Sequence, residues 1–142
     1  MAEAVLPDPS TPFGERVRRR LSDEVVIWMT TVARDGTPQP NPVWFLWDGD
    51  TVLVYNRPDA RRLQHVRTRP RVSLSFDSDQ GGNVVVITGR AELVEGEPPP
   101  DRVREYVAKY DRRMVGVSGS HEAFGRAYPV ALRITPLTVR GF

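Results

Sequence analysis

The sequence predicts a small antiparallel β-barrel of about six strands with helices at its margins, and three observations carry that prediction. Apolar runs flank Asp35-Gly36, and further runs flank Asp48-Gly49-Asp50; an Asp-Gly pair between apolar strands is the strongest short-range hairpin signal. Arg71–Phe76 alternates strictly, with Val72, Leu74 and Phe76 on one face and Arg71, Ser73 and Ser75 on the other, the period of a half-buried strand. Helical spacing is sparse and does not alternate with the strands as it would in a parallel sheet.

Residues Met1 to Ser10 carry two prolines and acidic residues without periodicity, so a flexible arm is expected there and a single domain over residues 11–142. Thr11 caps a helix with Pro12 at its first position. Phe13, Val17 and Leu21 recur on one helical face, leaving Arg16, Arg18, Arg19 and Arg20 in solvent. Glu24–Ala33 reads as strand one, Pro38–Trp47 as strand two and Thr51–Asn56 as strand three, together a meander. A short helix over Asp59–Arg67 precedes strand four, Arg71–Phe76. After the polar loop Asp77–Asn83, strand five runs over Val84–Val94, with Val85, Ile87, Gly89, Ala91 and Leu93 on one face. Beyond Pro98-Pro99-Pro100 the period turns helical at Val103, Tyr106, Val107 and Tyr110, and Val130, Leu132 and Ile134 supply the sixth strand.

Strand two is unusual twice over. Pro38, Pro40 and Pro42 stand two apart, so one edge of the strand loses three successive N–H donors and cannot be fully paired. A flat ligand along that edge is one reading; a proline-rich edge that blocks aggregation is the other. Trp44 and Leu46 also point opposite to Val43, Phe45 and Trp47, so both faces are apolar. The face outside the barrel calls for cover by a second subunit, a helix or a planar ligand, and a dimer interface is favoured.

The chain has no cysteine, and its only histidines, His65 and His121, are far apart. Disulfides and cysteine nucleophiles are excluded, and no metal is expected. A net charge of +2 is too balanced to indicate nucleic acid. No stretch approaches the roughly 20 apolar residues of a membrane span, and the N-terminus lacks the apolar centre of a secretory leader. A cytoplasmic protein engaging neither membrane nor nucleic acid is expected. Walker, GxGxxG, GxSxG and HExxH motifs are absent, and no acid–base pair stands out. Tyr55, Tyr106, Tyr110 and Tyr128 are each a candidate proton donor, although Tyr106 and Tyr110 belong to the apolar helical face. A reaction whose difficult step resides in a bound redox cofactor fits this lack of conspicuous catalysts.

Arg57, Arg61 and Arg62 follow strand three at a loop and helix start, where free N–H groups also favour anions. They read either as a phosphate cradle or as a solvated helix face, in a chain whose sole lysine is Lys109. Arg67, Arg69 and Arg71 are either solvated or extend a positive groove for a polyanionic tail.

The block DGTPQPNPVWFLWDGDTVLVYNRPDARRLQHVRTRPRVSLSF, followed by GGNVVVITGRAEL, YVAKY and the terminal LRITPLTVRGF, resembles the pyridoxamine phosphate oxidase-like family of FMN-binding split β-barrels, and most closely its coenzyme F-420 (deazaflavin)-dependent reductases of actinobacterial type. The resemblance implies a homodimer whose cofactor lies in an interfacial groove and passes hydride to a small electron-poor organic acceptor. It places the cofactor ring at Asn41, Pro42, Val43 and Trp44, and the phosphate at Tyr55, Asn56, Arg57, Arg61 and Arg62, with Gln64 and His65 helping to hold phosphate or tail. Arg140 and Phe142 would reach the ring from the second subunit. Flavin-using oxidases carry an Arg-Lys pair at Arg61-Arg62, and many deazaflavin relatives a lysine at Arg62, a change that keeps charge but alters geometry. An FMN-binding member of the same superfamily is the alternative, and a non-catalytic cofactor- or tetrapyrrole-binding protein another. Acceptor specificity is assigned to loops at Asp77–Asn83 and Met114–Tyr128.

Overall fold

The computed structural model describes residues 5–142. The expected arm falls partly on residues 1–4, outside that range. Its remainder is not a free arm: Leu6 is only 6% exposed within the core, and the Pro7 carbonyl accepts from Arg18 Nη1 at 2.7 Å. Helix α1 (Pro12–Asp23) starts as the sequence implied, with Thr11 Oγ1 accepting from Gly14 N–H at 3.0 Å. The expected solvated arginine face is corrected at Arg20. That side chain is 7% exposed and donates to the carbonyls of Asn83 and Asp77 at 2.8 and 2.7 Å, tying the helix to the loop beyond the fifth strand.

Strands β1 (Val26–Val32) and β2 (Pro38–Trp44) form the first hairpin, pairing from Val26↔Trp44 to Val32↔Pro38. Its turn needs Gly36, at φ +89°, and Asp35 Oδ1, which accepts from Thr37 N–H at 3.0 Å. The second hairpin joins β3 (Leu46–Trp47) to β4 (Val52–Asn56). There follow α2 (Arg61–Thr68), β5 (Arg71–Ser75), β6 (Val85–Val94), a 3-10 turn (Pro100–Arg102), α3 (Arg104–Ser118), α4 (His121–Ala127) and β7 (Val130–Gly141). All pairings are antiparallel, in the order β2-β1-β5-β6-β7-β4-β3.

That order corrects the expected meander. Strand two breaks at Phe45, giving seven strands instead of six, and β4 pairs with β7 rather than with the first half of strand two. The two ends of the sheet, β2 and β3, are therefore separated in the chain by one residue, so the sheet curls until its edges meet at a covalent corner. At the corner the ladder stops, and the backbone of buried Phe45 must find other partners. Helix α3 supplies them: Tyr110 Oη accepts from Phe45 N–H at 2.8 Å, and Lys109 Nζ donates to the Phe45 carbonyl at 2.9 Å.

Two apolar clusters result. The barrel interior is filled by Val43, Phe45, Val54, Leu74, Ile87 and Ile134 among others. Trp44 and Leu46 face the other way, onto Tyr106, Tyr110, Met114 and Phe124 of α3 and α4. The outer face of strand two is thus covered by the chain's own helices, not left bare for a second subunit. Gly89 marks the one register shift between β6 and β7; a Cβ there would lie 2.5 Å from Ile134 Cγ2, so this close approach favours glycine.

Candidate functional site

Strand β4 delivers Asn56, whose side chain is completely buried. Its Nδ2 donates to the carbonyls of Val54 and Val130, both at 3.0 Å, and this aims Oδ1 at Arg62, whose Nε donates to it at 2.5 Å. Arg62 is thereby held by one nitrogen. Its two terminal nitrogens make no hydrogen bond among the described residues, and it belongs to none of the ion pairs among them. Burial pushes its guanidinium below the ordinary value, opposed by the Tyr128 phenol. A half-buried cation without a counter-charge is a standing site for an anion.

Two hollows meet at Arg62. One, of about 270 Å³, is aromatic and is walled by Trp44, Tyr55, Tyr106, Phe124 and Tyr128, with Pro42, Val43 and Val117 at its margins. The other, of about 380 Å³, is polar, lined by Ala33, Gln39, Asn41, Ala60, Arg61 and His65. Gln39 and Asn41 lie on one face of β2 and Pro42 and Trp44 on the other, because side chains alternate along a strand. The edge of β2 therefore runs between the hollows. It is bare: β2 ends the sheet, its ladder with β1 is complete, and the prolines leave that edge without N–H donors from Pro38 to Pro42. Further along α2 a shallower groove of about 580 Å³ is lined by Arg34, Gln64, His65, Arg67 and Arg69.

The structure gathers most of the residues expected from sequence and assigns them unequal positions. Asn41, Pro42, Val43, Trp44, Tyr55, Arg61, Arg62 and His65 line one hollow or the other, and Gln64 lines the groove. Asn56 touches neither hollow, since its amide is spent on Val54, Val130 and Arg62; what it positions is Arg62. Arg57 leans on Tyr128, donating to its hydroxyl at a long 3.4 Å with its guanidinium 5.2 Å from the ring centre. His65 is oriented by a 2.8 Å hydrogen bond between Nδ1 and the hydroxyl of buried Thr31. Arg140 and Phe142 line neither of the two hollows nor the groove; they sit at the far end of the β6–β7 ladder, where Phe142 exchanges backbone hydrogen bonds with Val84 at 3.0 and 3.1 Å. Arg71 faces Arg90 across the strands and is not part of the groove.

Sequence reasoning missed the wall built by Phe124 and Tyr128 and the role of Thr31. The segment assigned to an acceptor loop at Met114–Tyr128 is mostly helix, ending α3 and forming α4. Short helical spacing at Phe124 and Tyr128, four residues apart, was the available signal; the rings stack at 4.5 Å. The Asp77–Asn83 loop borders neither hollow and is fastened to α1 by Arg20. Among the described residues no group of three or more His, Cys, Asp or Glu side chains is arranged to hold a metal. No helix among them is long and apolar enough to cross a membrane.

A curled antiparallel sheet, closed at one corner and flanked by helices, with a half-buried arginine and an aromatic hollow on its open seam, defines a split β-barrel. The pyridoxamine 5'-phosphate oxidase family model matches residues 13–142, and the chain belongs to that family. It is 25% identical over 121 residues to a pyridoxine/pyridoxamine 5'-phosphate oxidase of Citrobacter koseri, a match covering 75% of this chain; it spans only 56% of that relative's length. A solved F420 reductase superposes with a TM-score of 0.65 at 24% identity, covering 84% of this chain and 92% of that one. A FAD-binding protein of Mesorhizobium loti superposes with a TM-score of 0.63 at 19% identity, covering 88% of each chain. These similarities extend the fold over nearly the whole described chain.

Proposed function

We propose that the protein is an oxidoreductase that binds reduced coenzyme F-420 along the bare edge of β2, in a groove shared with a second copy of the chain, and passes hydride to an electron-poor organic acceptor such as an activated alkene or a quinone-like ring. The observation that carries the reading is Arg62, a half-buried cation aimed into the cleft by a buried amide and lacking a counter-charge among the described residues. A cofactor phosphate supplies that charge. When bound, the deazaflavin contributes the hydride chemistry for which the chain itself has no apparatus.

The chain's residues bind and orient. Arg61 and Arg62 grip the phosphate, with Asn56 fixing the direction of Arg62. Asn41 to Val43 flank a planar ring lying on the edge, and the aromatic hollow beyond Trp44 takes the acceptor. Holding the two reactants face to face in this way is the main source of rate enhancement open to such a site. The groove of Arg34, Arg67 and Arg69 continues past the phosphate cradle and suits an anionic tail, which favours F-420. FMN remains the second reading, because its single phosphate satisfies the same Arg61–Arg62 cradle.

Titrating the protein separately with F-420, FMN and haem, with intrinsic tryptophan fluorescence as signal and sedimentation velocity alongside, tests this. Tight F-420 binding to a dimer is expected. Preference for FMN or haem, or a monomer that binds F-420 tightly, overturns it.

A further inference from the structure

Reduction of an activated double bond needs a proton as well as hydride, and four tyrosines stand near enough to the cleft to be considered. Three are disqualified by their surroundings. The Tyr55 hydroxyl donates to the Pro98 carbonyl at 2.6 Å, and burial pushes the phenol up to about 12. Tyr110 is buried at the Phe45 corner, its proton shared between the carbonyls of Val25 at 2.6 Å and Phe45 at 3.1 Å. Tyr106 is buried beneath the other rings, 1% exposed, and its phenol is pushed upward by burial. Tyr128 differs in each respect. It is half-exposed on the wall of the aromatic hollow, its ring is set by stacking on Phe124 at 4.5 Å, and its oxygen accepts from Arg57. Its own proton has no acceptor among the described residues.

We propose that Tyr128 is the proton donor to the acceptor in the aromatic hollow, with Arg57 stabilising the phenolate it leaves. This rests on the reading above. The acceptor's polarised double bond takes hydride at its electron-poor carbon, and the displaced electron pair takes the phenol proton at the neighbouring atom. The O–H bond of Tyr128 breaks, the reduced deazaflavin or flavin is oxidised by two electrons, and water restores the phenol. Arg57 is suited to the task because it already donates to the phenol oxygen and sits over the ring, so its charge is in place before the proton leaves.

The test compares wild type with Tyr128→Phe, which keeps the ring stacked on Phe124. Without cofactor, 4-nitrophenolate probes the hydroxyl as a donor to an anionic oxygen: the variant should bind it about tenfold more weakly and nitrobenzene equally well. With reduced F-420 or FMN and an enone acceptor, kcat should fall at least about a hundredfold, the usual scale of a general acid, at unchanged cofactor affinity. Undiminished nitrophenolate binding, or an undiminished kcat in a wild type that turns over, overturns the role of Tyr128 alone. Absence of turnover in wild type with either cofactor overturns the functional reading, and this role with it.

Discussion

Single residues in this protein are set by what they lack as much as by what they touch. Among the described residues, Arg62 has one hydrogen-bond partner for three nitrogens, and Tyr128 accepts without donating. Lys109 is the sole lysine of the chain, and its ammonium lies 3.8 Å from the centre of the Phe45 ring while donating to the Phe45 carbonyl at 2.9 Å. A compact ammonium bonds one carbonyl and lies over two rings, those of Phe45 and Tyr110, in a space that a planar guanidinium fills poorly. Burial pushes this ammonium from 10.5 down to about 8, against the pull of Asp23 and Glu24. The folded chain therefore holds that proton more weakly than the unfolded chain. Between about 8 and 10.5 the unfolded state binds more protons, so the Lys109 contribution makes stability rise with pH across this window. Above about 10 the buried tyrosines act in reverse, because the folded state retains phenol protons that the unfolded state releases. Urea midpoints measured at pH 7.5, 9 and 10 should rise more in wild type than in Lys109→Met. Parallel curves for the two proteins would remove Lys109 as the cause.

The decisive element is strand two and the way it ends. Its proline spacing, the two Asp-Gly turns and the Thr11 cap were legible because each depends on neighbours a few residues away. The corner at Phe45 was not, because apolar alternation from Val43 to Trp47 continues through it. What breaks the strand is Tyr110, 65 residues further on, whose hydroxyl replaces the missing ladder partner. The same distance effect hid the covering of Trp44, whose ring lies nearly parallel to Tyr110 at 4.7 Å and to Phe124 at 5.3 Å. Of the site, the arginines and the strand edge could be read locally, whereas the aromatic wall required knowing that α4 folds back over strand two. Tyr110→Phe keeps the ring and deletes the hydroxyl, leaving the buried Phe45 N–H without an acceptor. Chemical denaturation should show a loss of about 1–3 kcal/mol, the cost of an unsatisfied buried group. Unchanged stability would mean that the corner holds itself.

At the scale of the molecule, the sheet's two ends meet without pairing, and the candidate site residues sit on that seam. The barrel brings β2 and β4 together there, so that Asn41 and Pro42 on one side and Tyr55 and Arg62 on the other border the two adjoining hollows. A closed barrel would have spent that edge on hydrogen bonds; the three prolines keep it open. The arrangement makes sense if a phosphorylated planar cofactor completes the seam, and the phosphate clamp is where this can be tried. Dissociation constants for F-420 and for an analogue lacking the phosphate, at fixed ionic strength, should be measured in wild type, Arg61→Ala, Arg62→Ala and the double variant. Each lost charge-assisted bond is worth about 1.5–3 kcal/mol when shielded from water, roughly tenfold to a hundredfold in affinity. The expected result is a loss of that size for F-420, larger at the better-buried Arg62, with the analogue unaffected. Equal loss for both ligands, or no loss for either, would contradict a phosphate site at Arg61 and Arg62.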